Sequence, residues 1–200
     1  MTGAEVTDTG DDAPPDGRRV ILDACALLNL YASRHIAAIL AALPRPSAVA
    51  ALVRDREALW VGRDRSGPAA DYERVDIGPL VAVGLVEVLE PRTDEELAHF
   101  IALASSTRID DGEAMSGALA HARGLIVATD DRAALTAFGR HNPPIPTRST
   151  ASLVKHWAEC AAVDPAAIRR VLLDIRERAY FEPGTRDPLQ GWWRAALATG

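Results

Sequence analysis

Residues 18–23, RRVILD, and residues 125–131, LIVATDD, decide how this chain folds. Each is a short apolar run with the length of a buried strand, and each ends on aspartate: Asp23 in the first, Asp130 and Asp131 in the second. Helical spacing resumes directly after both. Leu27, Leu30 and Tyr31, then Ile36, Ile39, Leu40 and Leu43, predict a helix over residues 26–43 that Pro44 and Pro46 stop. Upstream of the second run, Asp110-Asp-Gly-Glu113 opens a helix to about His121, and Gly124 closes it. Another helix follows Asp131, to about Gly139.

The remaining segments continue this alternation. Residues 47–60 read as a helix with Ser47 as N-cap, residues 63–71 as a polar loop around Gly67-Pro68, and residues 76–83 as a helix. LVEVL at 85–89 alternates as a half-buried strand does, and Thr93-Asp-Glu-Glu96 is a capping-box start for a helix to about Ser105. After Asn142-Pro-Pro144 comes a short strand at 145–147. Helices then begin at Ser149, at Asp164-Pro165 and at Asp187-Pro188, the last carrying Trp192 and Trp193. Strands alternating with helices predict an α/β fold: a three-layer α/β/α arrangement with a mostly parallel central sheet, plus C-terminal helices.

Composition sets the frame. The chain has 200 residues, 48% hydrophobic and 25% charged, enough for one cored domain with a modest extension. No apolar run approaches the ~20 residues of a membrane span. Residues 1–17 are acidic around Pro14-Pro15, lack a signal-like apolar region, and read as a solvated tail. The two cysteines, Cys25 and Cys160, sit in apolar helical context and cannot build a disulfide framework, which predicts a cytoplasmic protein with reduced thiols. A net charge of −6, with Lys155 the sole lysine, argues against holding nucleic acid by bulk attraction. A nucleic-acid enzyme whose site is itself a carboxylate cluster stays compatible with that charge.

Topology suggests such a cluster. In a parallel sheet, the helix that leads into a strand starts at the edge where the strands end, so Asp110, Asp111 and Glu113 share an edge with Asp23, Asp130 and Asp131. Carboxylates from separate segments suit a hard cation, Mg²⁺ or Mn²⁺. Each of Asp23, Asp110 and Asp131 is also placed to cap a helix. Doubled acids at two of the sites go beyond capping. His35, His99, His121, His141 and His156 are scattered along the chain with no zinc-ligand spacing. A haloacid-dehalogenase-type phosphatase needs a second Asp where Cys25 stands, and no glycine-rich phosphate loop ends in Lys-Ser/Thr.

The segments VILDACALLNLY (20–31), REALWV (56–61), DDGEAMSGALA (110–120) and LIVATDDRAAL (125–135), in this order, resemble the PIN-domain family of metal-dependent nucleases, which includes VapC-like toxins. The resemblance spans about 20–150. It implies a PIN-like nuclease core over 18–150 and a helical extension packed on it over 151–200. It further implies a Mg²⁺- or Mn²⁺-dependent endoribonuclease, the toxin of a type II toxin–antitoxin pair, with an RNA substrate, an antitoxin partner, a homodimer and no membrane. Carried over by position, Asp23 is the first metal-binding acid, Glu57 the second with Asp55 competing, Glu113 the third, and Asp131 the fourth with Asp130 a rival. Asp110 either reaches the metal or caps its helix. Arg63, Arg65, Arg132, Arg148 and Lys155 each read as a phosphate contact or as a surface charge, and Arg132, next to the acids, is the one that stands out. Trp157, Phe181, Trp192 and Trp193, spaced among aliphatic residues, read as core or dimer contact. Two other functions fit the same residues: a PIN-like interaction module that has lost turnover, and a DNA-directed nuclease.

Overall fold

The apolar run at residues 20–22 becomes β1 (Val20–Leu22), buried along its whole length as the central strand of a covered parallel sheet must be. The computed structural model of the chain describes residues 17–56, 59–63, 71–106 and 108–199. The acidic tail up to residue 16, most of the polar loop, and Glu57 lie outside the described residues.

Two helices replace the single one expected over residues 26–43: α1 (Ala24–Ala32) and α2 (Ile36–Ala41). Between them Arg34 adopts a left-handed φ of +60°, and the buried Ser33 hydroxyl turns back to donate to the Leu30 carbonyl. No glycine or proline announces this break. Residues 47–60 are also not one helix. They give β2 (Ser47–Ala50), then α3 (Ala51–Arg56), then β3 (Trp60–Gly62). All four β2 residues are buried, so no alternation marks the strand, and Ser47 is locked in by its N–H donating to the Leu85 carbonyl at 2.9 Å. β3 pairs antiparallel with β4 (Tyr72–Arg74), a two-stranded sheet the sequence did not lead us to expect.

The later elements follow the pattern closely: α4 (Gly78–Ala82), β5 (Val86–Leu89), α5 (Asp94–Ser106), α6 (Asp111–Arg123), β6 (Ile126–Ala128), α7 (Arg132–Arg140), β7 (Thr147–Arg148), α8 (Thr150–Cys160), α9 (Pro165–Arg178) and α10 (Gln190–Ala198). Side-chain caps explain the accuracy here. Thr93 and Glu96 exchange hydrogen bonds across the start of α5, and Gly124 ends α6 at φ +64°, which costs glycine little. Arg123 then reaches back from α6 to Glu96 at 2.6 Å and holds that carboxyl down at about 2. The small residues of α6 have a packing reason: a Cβ at Gly117 would collide with the buried Phe138 ring of α7.

The central sheet is five-stranded and parallel, in the order β5-β2-β1-β6-β7. Helices flank it, consistent with a three-layer α/β/α fold. α6 packs against β1, β2 and β6 and against α5, while α1 packs against α8 and α9. Trp157 and Trp193 enter the core, the latter edge-on to Phe181 at 5.8 Å. Among the described residues, no helix is long and apolar enough to cross a membrane. From β1 the chain moves outward to β2 and β5, then returns to β6 on the other side of β1. The loops leaving β1 and β6 therefore stand side by side at a switch in strand order, where open α/β sheets form their ligand crevices.

Candidate active site at the carboxyl edge of the sheet

Register fixes the centre of the site. Leu22 pairs with Ala128, and the Asp23 N–H donates to the Ala128 carbonyl at 3.1 Å, so Asp23 and Thr129 leave adjacent strands together. Asp23 caps α1, its Oδ1 accepting from the Ala26 N–H at 2.9 Å. The Cys25 thiol donates to the same carboxylate at 3.2 Å, and the Thr129 hydroxyl also bonds to it. Asp23 is only 1% exposed, and this burial pushes its carboxyl up to about 7 against the pull of those hydrogen bonds, with the charge of Asp130 adding to the rise. Cys25 lies among acids rather than in the apolar setting its sequence suggests. Burial, then the charges of Asp23 and Asp130, push its pKa up and keep it a thiol donor.

The doubled aspartates after β6 have different tasks. Asp130 is held by chain donors on both oxygens: the Thr150 N–H to Oδ1 at 3.0 Å, Asn29 Nδ2 to Oδ2 at 3.0 Å, and the Thr150 hydroxyl to Oδ2. It ties the start of α8 and the middle of α1 to the end of β6, and burial raises its carboxyl to about 6. Asp131 caps α7 through Oδ1 alone, which accepts from Ala133 at 2.7 Å and Ala134 at 2.9 Å. Its Oδ2 has no hydrogen-bond partner among the described residues.

Glu113 arrives from the third segment. It shares a capping box with Asp110: the Glu113 N–H donates to Asp110 Oδ1 at 2.7 Å, and the Asp110 N–H donates to Glu113 Oε2 at 3.0 Å. Burial, then the charges of Asp110 and Asp131, push Glu113 up to about 7. Asp110 itself is exposed and acts as the cap. Asp55, the alternative second acid, is exposed on α3 and pairs with Arg54 at 2.5 Å.

Asp23, Glu113, Asp130 and Asp131 thus meet at one edge, and no cationic side chain figures among the groups that shift Asp23, Glu113 or Asp130. Oxygen donors without a counter-charge suit a hard divalent cation. The spacing is open: among the described residues, no three of these acids bring ligand atoms within 4.8 Å of one another. Mg²⁺ keeps several waters and takes one or two carboxylates directly, so the edge fits an ion held partly through water.

Two grooves meet at Asp130. One, about 410 Å³, is lined by Asp130, Asp131, Trp60, Tyr72, Tyr180 and Phe181. Its aromatic rings are unusually open, with Trp60 53%, Tyr72 40% and Tyr180 74% exposed. The other, about 530 Å³, carries Arg132, Arg186 and Asp187. Of the remaining cations expected near phosphate, Arg63 pairs with Asp71 at 3.4 Å, Lys155 lies 3.9 Å from Glu159, and Arg65 is outside the described residues. Sequence reasoning missed Asn29, Thr129, Thr150 and Trp60, since each acquires meaning only when distant segments meet. It also misjudged three histidines: His99, His121 and His141 are not scattered but adjacent. Comparison with models of known protein families, with curated proteins and with solved structures finds no match to this chain.

Proposed function

We propose that this protein is a PIN-type, divalent-cation-dependent endoribonuclease. The observation that carries this reading is the convergence of Asp23, Glu113 and Asp131 from three segments on one sheet edge, with Asp23 and Glu113 both raised to about 7 and no cationic side chain among the groups that shift them. When bound, Mg²⁺ or Mn²⁺ would supply a Lewis acid that activates water and offsets charge growing on the phosphodiester. Asp23, Glu113 and Asp131 would hold it, while Asp130, fixed by Asn29 and Thr150, aligns the β6 end with α1 and α8. No side chain is needed as a covalent nucleophile, and the products would carry 5′-phosphate and 3′-hydroxyl ends. The open rings of Trp60, Tyr72 and Tyr180 beside Asp131 favour a single strand whose unpaired bases can stack. The sequence resemblance adds the expectation that the chain is the toxin of a type II pair, with an antitoxin partner.

The wide spacing of the acids favours one other reading, an interaction module that keeps the fold without turnover. A substrate panel separates the two: unstructured RNA, structured RNA and a matched single-stranded DNA, each in Mg²⁺, Mn²⁺ or chelator. Metal-dependent cleavage of unstructured RNA to 5′-phosphate ends is expected. Cleavage of DNA alone would make this a DNA-directed nuclease, and no cleavage of any substrate by folded protein would support the interaction module.

A further inference from the structure

Away from the acid edge, three imidazoles from three helices meet. His99 projects from α5, His121 from the last turn of α6, and His141 is the C-cap of α7. Ring centroids are 4.4 Å apart for His99 and His121, and 4.5 Å for His121 and His141, so His121 is the middle member. One nitrogen from each lies within 4.8 Å of the others, and all three side chains are half-buried. Among the described residues this is the only such group of three His, Cys, Asp or Glu ligand atoms.

We propose that His99, His121 and His141 form a metal site for one zinc-class divalent ion, separate from the carboxylate edge and different in ligand chemistry. Imidazole nitrogens suit zinc, cobalt, nickel and copper, whereas Mg²⁺ prefers oxygen. A tetrahedral ion about 2.1 Å from each nitrogen needs nitrogens roughly 3.4 Å apart, so the rings must close by at most about 1.4 Å. The fourth position falls to water or to Glu95, whose Oε1 lies 3.7 Å from His99 Nε2.

Two features prepare the group for an ion. His141 Nδ1 sits 2.8 Å from the Pro143 carbonyl, which can only accept, so Nδ1 carries a proton and Nε2 is the nitrogen left to bind an ion. A carbonyl behind a ligating histidine is the usual device for fixing its tautomer and orientation. His141 also lines a cavity of about 660 Å³ with Arg140, Thr136 and Leu103, which gives an ion a way in.

Placement gives the ion a task. α6 and α7 begin at the acid edge with Glu113 and Asp131 and end at the histidines. An ion there would join the far ends of both helices and tie them to α5, some 12–15 Å from the acids at 1.5 Å per residue. Helix C-termini also favour positive charge.

The test uses the full chain, stripped with chelator and titrated with Co²⁺ while visible absorption is followed. One equivalent is expected to give the d–d bands of nitrogen ligation, with Zn²⁺ displacing it and Mg²⁺ failing to. Zn²⁺ should raise the unfolding temperature. His121→Ala and His141→Gln should each weaken binding by 100-fold or more, while Asp23→Asn leaves it intact. His156→Ala is the control, because His156 lies 3.6 Å from the Cys160 thiol and offers an alternative pair of ligands. Absence of stoichiometric Co²⁺ bands, bands that survive both triad variants in folded protein, or bands lost with His156→Ala would each overturn the proposal.

Discussion

Asp23→Asn is expected to remove metal-dependent RNA cleavage and, in chelator at pH 8, to make the protein more stable than wild type. The two effects share one cause. Asp23 is 1% exposed without a cation, and its carboxyl rises from 3.8 to about 7 on folding. Between those values the unfolded chain releases the proton and the native state keeps it, so stability falls as pH rises from about 4 to about 7 and then levels off. The full penalty is roughly 4 kcal/mol at 1.36 kcal/mol per pH unit. Asparagine keeps the cap to Ala26 and carries no charge, but its amide nitrogen lacks an acceptor opposite the Cys25 thiol, so a gain of about 2 kcal/mol is expected. Glu113 and Asp130 are raised in the same sense and remain in the variant, so its stability still declines with pH, less steeply. Denaturant unfolding at pH 4 and pH 8 measures this: the variant should be about 2 kcal/mol less stable than wild type at pH 4 and about 2 kcal/mol more stable at pH 8. A less stable Asp23→Asn protein at pH 8 would mean that Asp23 serves chiefly as a helix cap.

Arg178→Ala is expected to cost about 3 kcal/mol, a fall of roughly 6–12 °C in Tm for a chain of this size. Arg178 is 2% exposed at the end of α9 and donates to the Gly62 carbonyl at 2.7 Å, to the Ala32 carbonyl and to Glu73. One guanidinium thereby binds the end of α1 to both strands of the β3–β4 pair. Its removal leaves two carbonyls unpaired in the interior and unfastens the strands that carry Trp60 and Tyr72. Half-exposed Glu73 recovers water, which keeps the cost near the low end for a broken buried pair. Arg178→Lys should be intermediate, since an ammonium cannot span three acceptors in a planar fork. Thermal unfolding with unchanged Tm in Arg178→Ala would show that the hairpin is held by other contacts.

Where local chemistry decides the structure, the sequence was a good guide. Capping residues at Thr93, Asp110, Asp131, Ser149 and Asp164 mark helix starts, and Gly124 marks an end, because each satisfies backbone groups within one turn. The acid edge was also foreseeable, since parallel topology alone brings Asp23, Glu113 and Asp131 together. Elements defined by distant neighbours were not. β2 reads as helix because Ser47–Ala50 is buried throughout and shows no alternation, and its strand character comes from β1 and β5 on either side. The break at Arg34 has no glycine, and the division of work between Asp130 and Asp131 depends on Asn29 and Thr150. The histidine cluster joins three helices through tertiary packing, which no spacing rule along the chain records.

Mn²⁺ binding, followed by electron paramagnetic resonance at pH 8, tests most directly whether Asp23, Glu113 and Asp131 share a divalent cation. Wild type is expected to bind Mn²⁺ that Mg²⁺ displaces, and Asp23→Asn, Glu113→Gln and Asp131→Asn should each lose that displaceable ion while His121→Ala retains it. Wild-type protein that binds no Mg²⁺-displaceable Mn²⁺, or folded acid variants that bind it as wild type does, would contradict the assignment of this edge as a metal-dependent site.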